Sequence, residues 1–292
     1  MVPRARVLAD VALDPADFAS HGARADAPRP AERFATRSLA ASATAWYVVA
    51  ALGQLAFLVY VVGFYGGAAL RGAPGDWNQV LTHGWIAGDL AGNLVLAGHL
   101  LFAAVVVAGG LVQLLPRVRQ RLPALHRWNG RVYVAAAATV AVAGLVMVWT
   151  RGAAGALAQD IAISINALLI LGFAALAYRH ARARRFDAHR RWALRLFIAV
   201  GGVWFFRLML PLWIVANQGP AGFDPETFQG PAITAISVLD YLLPLAVLEL
   251  YFRAQRAGAG ARLAMAGGLG LLTLLTAAGI GAASMMLWLP KL

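Results

Sequence analysis

The sequence has no cysteine, which excludes disulfides, thiolate metal sites and thiol nucleophiles. Charge is scarce too: 13% of the 292 residues are Asp, Glu, Lys or Arg, against about 25% in an ordinary globular domain. A soluble fold could not cover a chain that is 61% hydrophobic with so few charges, whereas lipid can. There is no Walker loop, no strand-embedded GxGxxG and no HExxH. The first 40 residues lack the apolar core of a signal peptide. They carry Arg4, Arg6, Arg24, Arg29, Arg33 and Arg37 among Ala, Pro and Asp. We expect residues 1–40 to be a largely disordered cytoplasmic tail, with Phe34 and Leu39 in a short interfacial helix.

What the sequence does have is long apolar runs. A spanning helix needs about 20 apolar residues. Seven segments meet that, near 44–65, 90–115, 131–150, 160–178, 192–215, 232–252 and 263–288. The expected fold is all-α: a polytopic transmembrane bundle over 41–292, with core helices at about 88–215. Pro211 and Pro244 are expected to kink their spans, and Gly109-Gly110 and Gly267-Gly268 to allow close helix packing.

The net charge of +12 is explained by topology rather than by nucleic acid. Arg residues crowd the tail and the connections at 116–131, 178–195 and 252–262, while the alternate connections and the C-terminus hold only Arg71, Arg151 and Lys291. The positive-inside rule then puts the N-terminus in and the C-terminus out. Trp77, Trp85, Trp149, Trp213 and Trp288 are expected at the outer interface, Trp128 and Trp192 at the inner one. High Ala and Arg content suggests a bacterial chain, hence an inner-membrane one. The lipid bilayer is the one partner implied.

Polar residues at depth are the informative ones, because a charge in mid-bilayer costs about 2.5–3.5 kcal/mol on insertion scales. Arg207, Asp240, His99, Asn166 and Gln54 fall at comparable depth in five spans. If their faces converge, Arg207 pairs with Asp240, and His99 and Asn166 complete the hydrogen bonding. Such a site is either structural glue or a binding or proton-handling centre.

A second cluster sits at the cytoplasmic ends: His126, His180 and His189 with Arg127, Arg131, Arg190, Arg191 and Glu249, and with Gln113 and Tyr133 nearby. These side chains suit a basic collar, an anionic ligand, or a haem iron held by imidazole. The stretch Leu125-His126-Arg127-Trp128-Asn129-Gly130-Arg131 is echoed by Ala188-His189-Arg190-Arg191-Trp192-Ala193-Leu194-Arg195. Spans two–three and four–five thus read as two copies of one hairpin.

Taken in order, several motifs resemble a bacterial family of predicted membrane proteins, domain-of-unknown-function family 2306, over about 80–250. They are Gly98-His99, Gly110-Leu111-Val112-Gln113, Leu125-His126-Arg127, Gly130-Arg131-Val132-Tyr133, His189-Arg190-Arg191-Trp192, Arg195, Arg207-Leu208 and Glu249. The resemblance implies a membrane protein, highlights His99, Gln113, His126, His189, Arg207 and Glu249, and brings no activity. A remoter analogy is to the transmembrane b-type cytochromes, in which paired helix histidines carry haem. Here Asn166 stands where a partner histidine is wanted. Two function classes stay open: electron transfer through haem b on His126, His189, His99 or His180, and a transporter or small-ligand-binding protein using Arg207, Asp240 and His99. A structural or lipid-interacting module is a third.

Overall fold

The computed structural model describes residues 30–81, 83–152 and 156–292. Among these residues the secondary structure is helical, apart from one isolated bridge between Asp224 and Gln229.

The first helix, α1, is Pro30–Tyr60. Proline suits a first helical position, where its missing N–H has no partner to lose, and Glu32 in the first turn faces the positive helix end. No Gly or Pro follows until Gly53. The stretch 30–40 is therefore helical and continuous with the first span, where the sequence suggested a tail and a separate interfacial helix. The remainder of the expected tail, 1–29, lies outside the described residues. Helix α1 ends in a π-helical turn, Val61–Gly66, and passes into α2, Gly67–Leu70.

Helix α3, Leu90–Gln113, is N-capped by Asp89, whose carboxylate accepts from the Gly92 N–H at 2.9 Å. The short helix α4, Pro116–Arg121, lies in the basic connection before α5, Pro123–Arg151. Then come α6 (Leu157–Arg182), α7 (Phe186–Val200), α8 (Gly202–Asn217), α9 (Pro231–Ala254) and α10 (Ala259–Ala283). The last ends in a second π-helical turn, Ser284–Trp288.

Among the described residues, six helices are long and apolar enough to cross a membrane on their own, and α7 with α8, bent by 47°, counts as a seventh when taken as one span. The bend falls at Gly201. It was expected at Pro211, yet α8 runs through Pro211 and α9 through Pro244.

Helix α3 packs on α5, α5 on α6 and α6 on α7, while α1 packs mainly on α10, and α8 on α9 and α10. Two cores result. One is aromatic, with Phe57, Tyr60, Phe64, Trp204, Phe205 and Trp288. The other is built on small residues, Ala136, Ala137, Ala141, Ala167, Ala174 and Ala199. Lipid tails are as apolar as leucine, so helices gain by fitting closely rather than by burying oil. Two tryptophans expected at the interface are core residues instead. Trp288 packs on Phe57 with ring centroids 5.7 Å apart, and buried Trp77 donates to the Tyr65 carbonyl at 3.1 Å. Trp128, Trp149 and Trp213 are exposed.

Candidate functional site

His99, Asn166 and Asp240 each lie nine residues in from the first residue of their helices, Leu90, Leu157 and Pro231. At 1.5 Å per residue that is about 14 Å along each helix; the sequence expectation set Arg207 and Gln54 at that depth as well. The expected convergence holds for only one pair.

Asn166 on α6 and Asp240 on α9 meet beside the α7–α8 break. A Cβ added at Gly202 would lie 2.7 Å from Asn166 Nδ2 and 3.7 Å from Asp240 Oδ1. Glycine is what lets the broken strand of chain approach them. The break also supplies a partner, because Asn166 Nδ2 donates at 3.2 Å to the Ala199 carbonyl, in the last turn of α7. Helix ends leave carbonyls without intrahelical donors. Asp240 is 9% exposed. Its Oδ1, and Oδ1 of Asn166, are buried without a hydrogen-bond partner. Two acceptor oxygens thus stand unmatched in one apolar slab, where each unmet polar group is costly.

Arg207 does not pair with Asp240; no ion pair joins them. It lies five residues beyond Gly202, about 140° around the helix at 3.6 residues per turn. Its guanidinium therefore faces α1, 5.5 Å from the Phe57 ring centroid, and its Nη1 donates to the Val203 carbonyl at 3.3 Å. The aromatic face takes the place of the expected carboxylate. Its charge reaches Tyr60 and His99.

His99 turns to α5 instead of the Asp240 pair. The Val140 carbonyl faces its ring, a Cβ added at Gly144 would lie 3.6 Å from Cε1, and Nδ1 is buried without a partner. Gln54 is buried within α1.

The histidines at the basic end are divided among hairpins. Gln113, closing α3, donates through Nε2 to the His126 carbonyl at 3.2 Å and faces His126 Nε2 at 3.4 Å. Asn129 completes this knot, donating to Gln113 Oε1 and to the Gly109 carbonyl, both at 2.8 Å. Tyr133 is buried one turn deeper, beside Gly109 and Gly110. Arg127 adds positive charge near His126, and Arg131 stacks on Trp128, 4.7 Å from the ring centroid.

His189 bonds through Nδ1 to the Ala177 carbonyl at 2.9 Å, tying α7 to α6, and it lies within electrostatic reach of His126. His180 is in the last turn of α6. Glu249 pairs with Arg195 at 2.7 Å, Arg190 lies near Tyr251, and Arg191 stacks over Phe252. Among the described residues, no group of three or more His, Asp and Glu side chains could hold a metal ion.

A latch at the other end went unread in the sequence. Arg151, closing α5, has a side chain 6% exposed. It donates to Asp89 Oδ2 at 2.5 Å, to the Gly84 carbonyl at 2.8 Å and to Asn93 Oδ1 at 2.9 Å. These bonds, with the Gly92 N–H, hold the Asp89 carboxyl below the usual carboxylate range.

The fold and its apolar helices define an all-α, multi-pass membrane protein. The chain belongs to the family described as "Predicted membrane protein (DUF2306)", which matches residues 96–251, more than half its length. No curated protein and no solved structure matches. The matched segment contains Asn166, Gly202, Arg207 and Asp240.

Sequence reasoning missed Gly201-Gly202 and the Arg151 latch, and it quoted Asn129 and Arg195 in motifs without giving them a partner. The glycine doublet was the available signal, since a glycine-interrupted apolar segment is a pointer to a broken span.

Proposed function

We propose that this is an inner-membrane protein of bacteria, with a cytoplasmic N-terminus, that handles a proton at Asp240 as part of a transport cycle. The observation carrying this reading is the pair of orphaned oxygens, Asp240 Oδ1 and Asn166 Oδ1, beside the bend at Gly201. One proton on the Asp240 carboxyl converts an acceptor into a donor, which removes one of the two unmatched acceptors. Loss of that proton leaves a carboxylate in a water-poor slab, with Arg207 turned away. Intramembrane acids of this kind mark proton relays. A broken span lies next to the acid, so a change of charge acts directly on a hinge.

Infrared difference spectra of the protein in lipid test this. A protonated-carboxyl stretch should be present in the wild type and vanish in Asp240→Asn. Proton uptake by proteoliposomes should disappear in the same variant. A spectrum at neutral pH with no Asp240-dependent protonated carboxyl ends the proposal.

Haem b is a second reading, favoured by one observation: His189 is oriented by Ala177 through Nδ1, which leaves Nε2 open as a ligand atom, near His126. Its test is a Soret band in protein from haem-replete cells, lost in His189→Ala. Colourless, iron-free protein rejects it.

A further inference from the structure

Helices α9 and α10 are joined by a short connection, but they splay apart. Helix α10 gives most of its packing to α1 and α8. The gap is a groove of about 480 Å³ between the last turns of α9 and the first half of α10. Its walls are apolar and half of them small, including Ala254, Ala261, Ala264 and Gly268, and Arg253 is the one charged residue lining it. Small residues alone say nothing about an occupant; length and charge do.

From Ala261 to Leu272 the groove follows α10 for eleven residues, about 16 Å at 1.5 Å per residue. A bilayer's hydrocarbon core is about 30 Å thick. The groove therefore runs through one leaflet, beginning at its polar boundary and ending near the midplane, as an acyl chain does.

Its mouth lies at the basic end of the bundle. Arg253 and Arg256 are exposed there, and neither side chain has a hydrogen-bond or ion-pair partner among the described residues. Arg262 is already engaged, with Thr36 Oγ1 at 3.0 Å and the Gln255 carbonyl at 3.5 Å. Two unmatched guanidinium groups above a leaflet-length apolar slot complement an anionic phospholipid, with the phosphate on the arginines and one chain in the slot.

We infer that the α9–α10 groove is a binding site for an anionic phospholipid of the leaflet on the basic side. The site is remote from Asp240 and stands or falls separately from the proton reading.

Native mass spectrometry of the full chain, titrated with phosphatidylglycerol and with phosphatidylcholine of identical chains, tests the site. Each arginine near a charged headgroup contributes roughly fivefold in affinity. The wild type should retain phosphatidylglycerol more than tenfold better, and Arg253→Gln/Arg256→Gln should erase most of that preference. Gly268→Leu, which fills the slot and leaves both charges, should weaken retention of both lipids while the thermal midpoint stays unchanged. Equal retention of the two lipids by the wild type overturns the inference. So does an undiminished preference in the double arginine variant, or a dimer whose contact covers the groove and excludes lipid.

Discussion

The two hairpins whose sequences echo each other, α3–α5 and α6 with α7–α8, solve one problem in opposite ways. Each places a polar residue nine positions into its first helix, His99 and Asn166, facing a glycine of the second. In the first hairpin α5 is unbroken. His99 leaves room for a Cβ at Gly144, with a helical carbonyl facing its ring. In the second the helix is broken, and Asn166 takes a carbonyl from the last turn of α7. A broken span frees backbone acceptors, admits a second polar chain, and collects Asp240 where the first hairpin collects nothing. In this membrane fold, polar chemistry gathers where a helix stops.

The contrast is sharpest at the glycines. Gly202→Leu should cost about 1–3 kcal/mol, the usual penalty for overpacking, because a Cβ would displace Asn166 Nδ2 from 2.7 Å away. Thermal unfolding in detergent reads this loss, and the infrared signal of Asp240 should shift with it. Next, Asn166→Ala strips Ala199 of its side-chain donor and should cost about 1–2 kcal/mol. An unchanged midpoint would show that the break does not need the amide.

A smaller effect separates the hairpins by pH. Asp89 is held low by Arg151, so its contribution is fully present above the ordinary carboxylate range and is lost as pH falls through the lowered folded value. Hydrogen exchange around residues 84–93 should rise on acidification below that range, and in Arg151→Gln it should already be raised at neutral pH. Uniform protection down to pH 2 would show that the latch does not report on Asp89. Smallest of all, Gly144→Ala should lie within about 0.5–1 kcal/mol of neutral or slightly stabilising, since its Cβ would sit 3.6 Å from His99 and Ala is the better helix former. A large loss there would erase the difference between the hairpins.

Much of this was legible in the sequence. Apolar length located the spans, and the structure puts His99, Asn166 and Asp240 equally far into their helices. Direction was not legible. In a soluble helix the apolar stripe tells which side faces in, but these helices are apolar all round, and lipid accepts leucine as readily as a neighbouring helix does. The rotation of Arg207 away from Asp240 therefore left no trace in composition. Opposite charges at one depth suggested a pair, and Phe57, a ring in a distant span, turned out to be the partner. Gly201 escaped notice because the apolar run continues through it, whereas Pro211 drew attention and is accommodated. The start of α1 was misread because arginine and alanine were weighed for solvation and not for their high helix propensity.

Helix α1 finds its main partner in α10, which lies about 200 residues further along the sequence. The fit is close: Gly53 leaves no room for a Cβ beside Ile280, and Phe57 lies on Trp288. During synthesis the first span enters the bilayer while its partner is still untranslated. It must wait in lipid, with the seat for Ile280 and Trp288 unoccupied, until α10 follows. The α1–α10 contact therefore closes only once α10 has been made, and a chain truncated before Ala259 would present an unfinished α1 to the membrane's quality control.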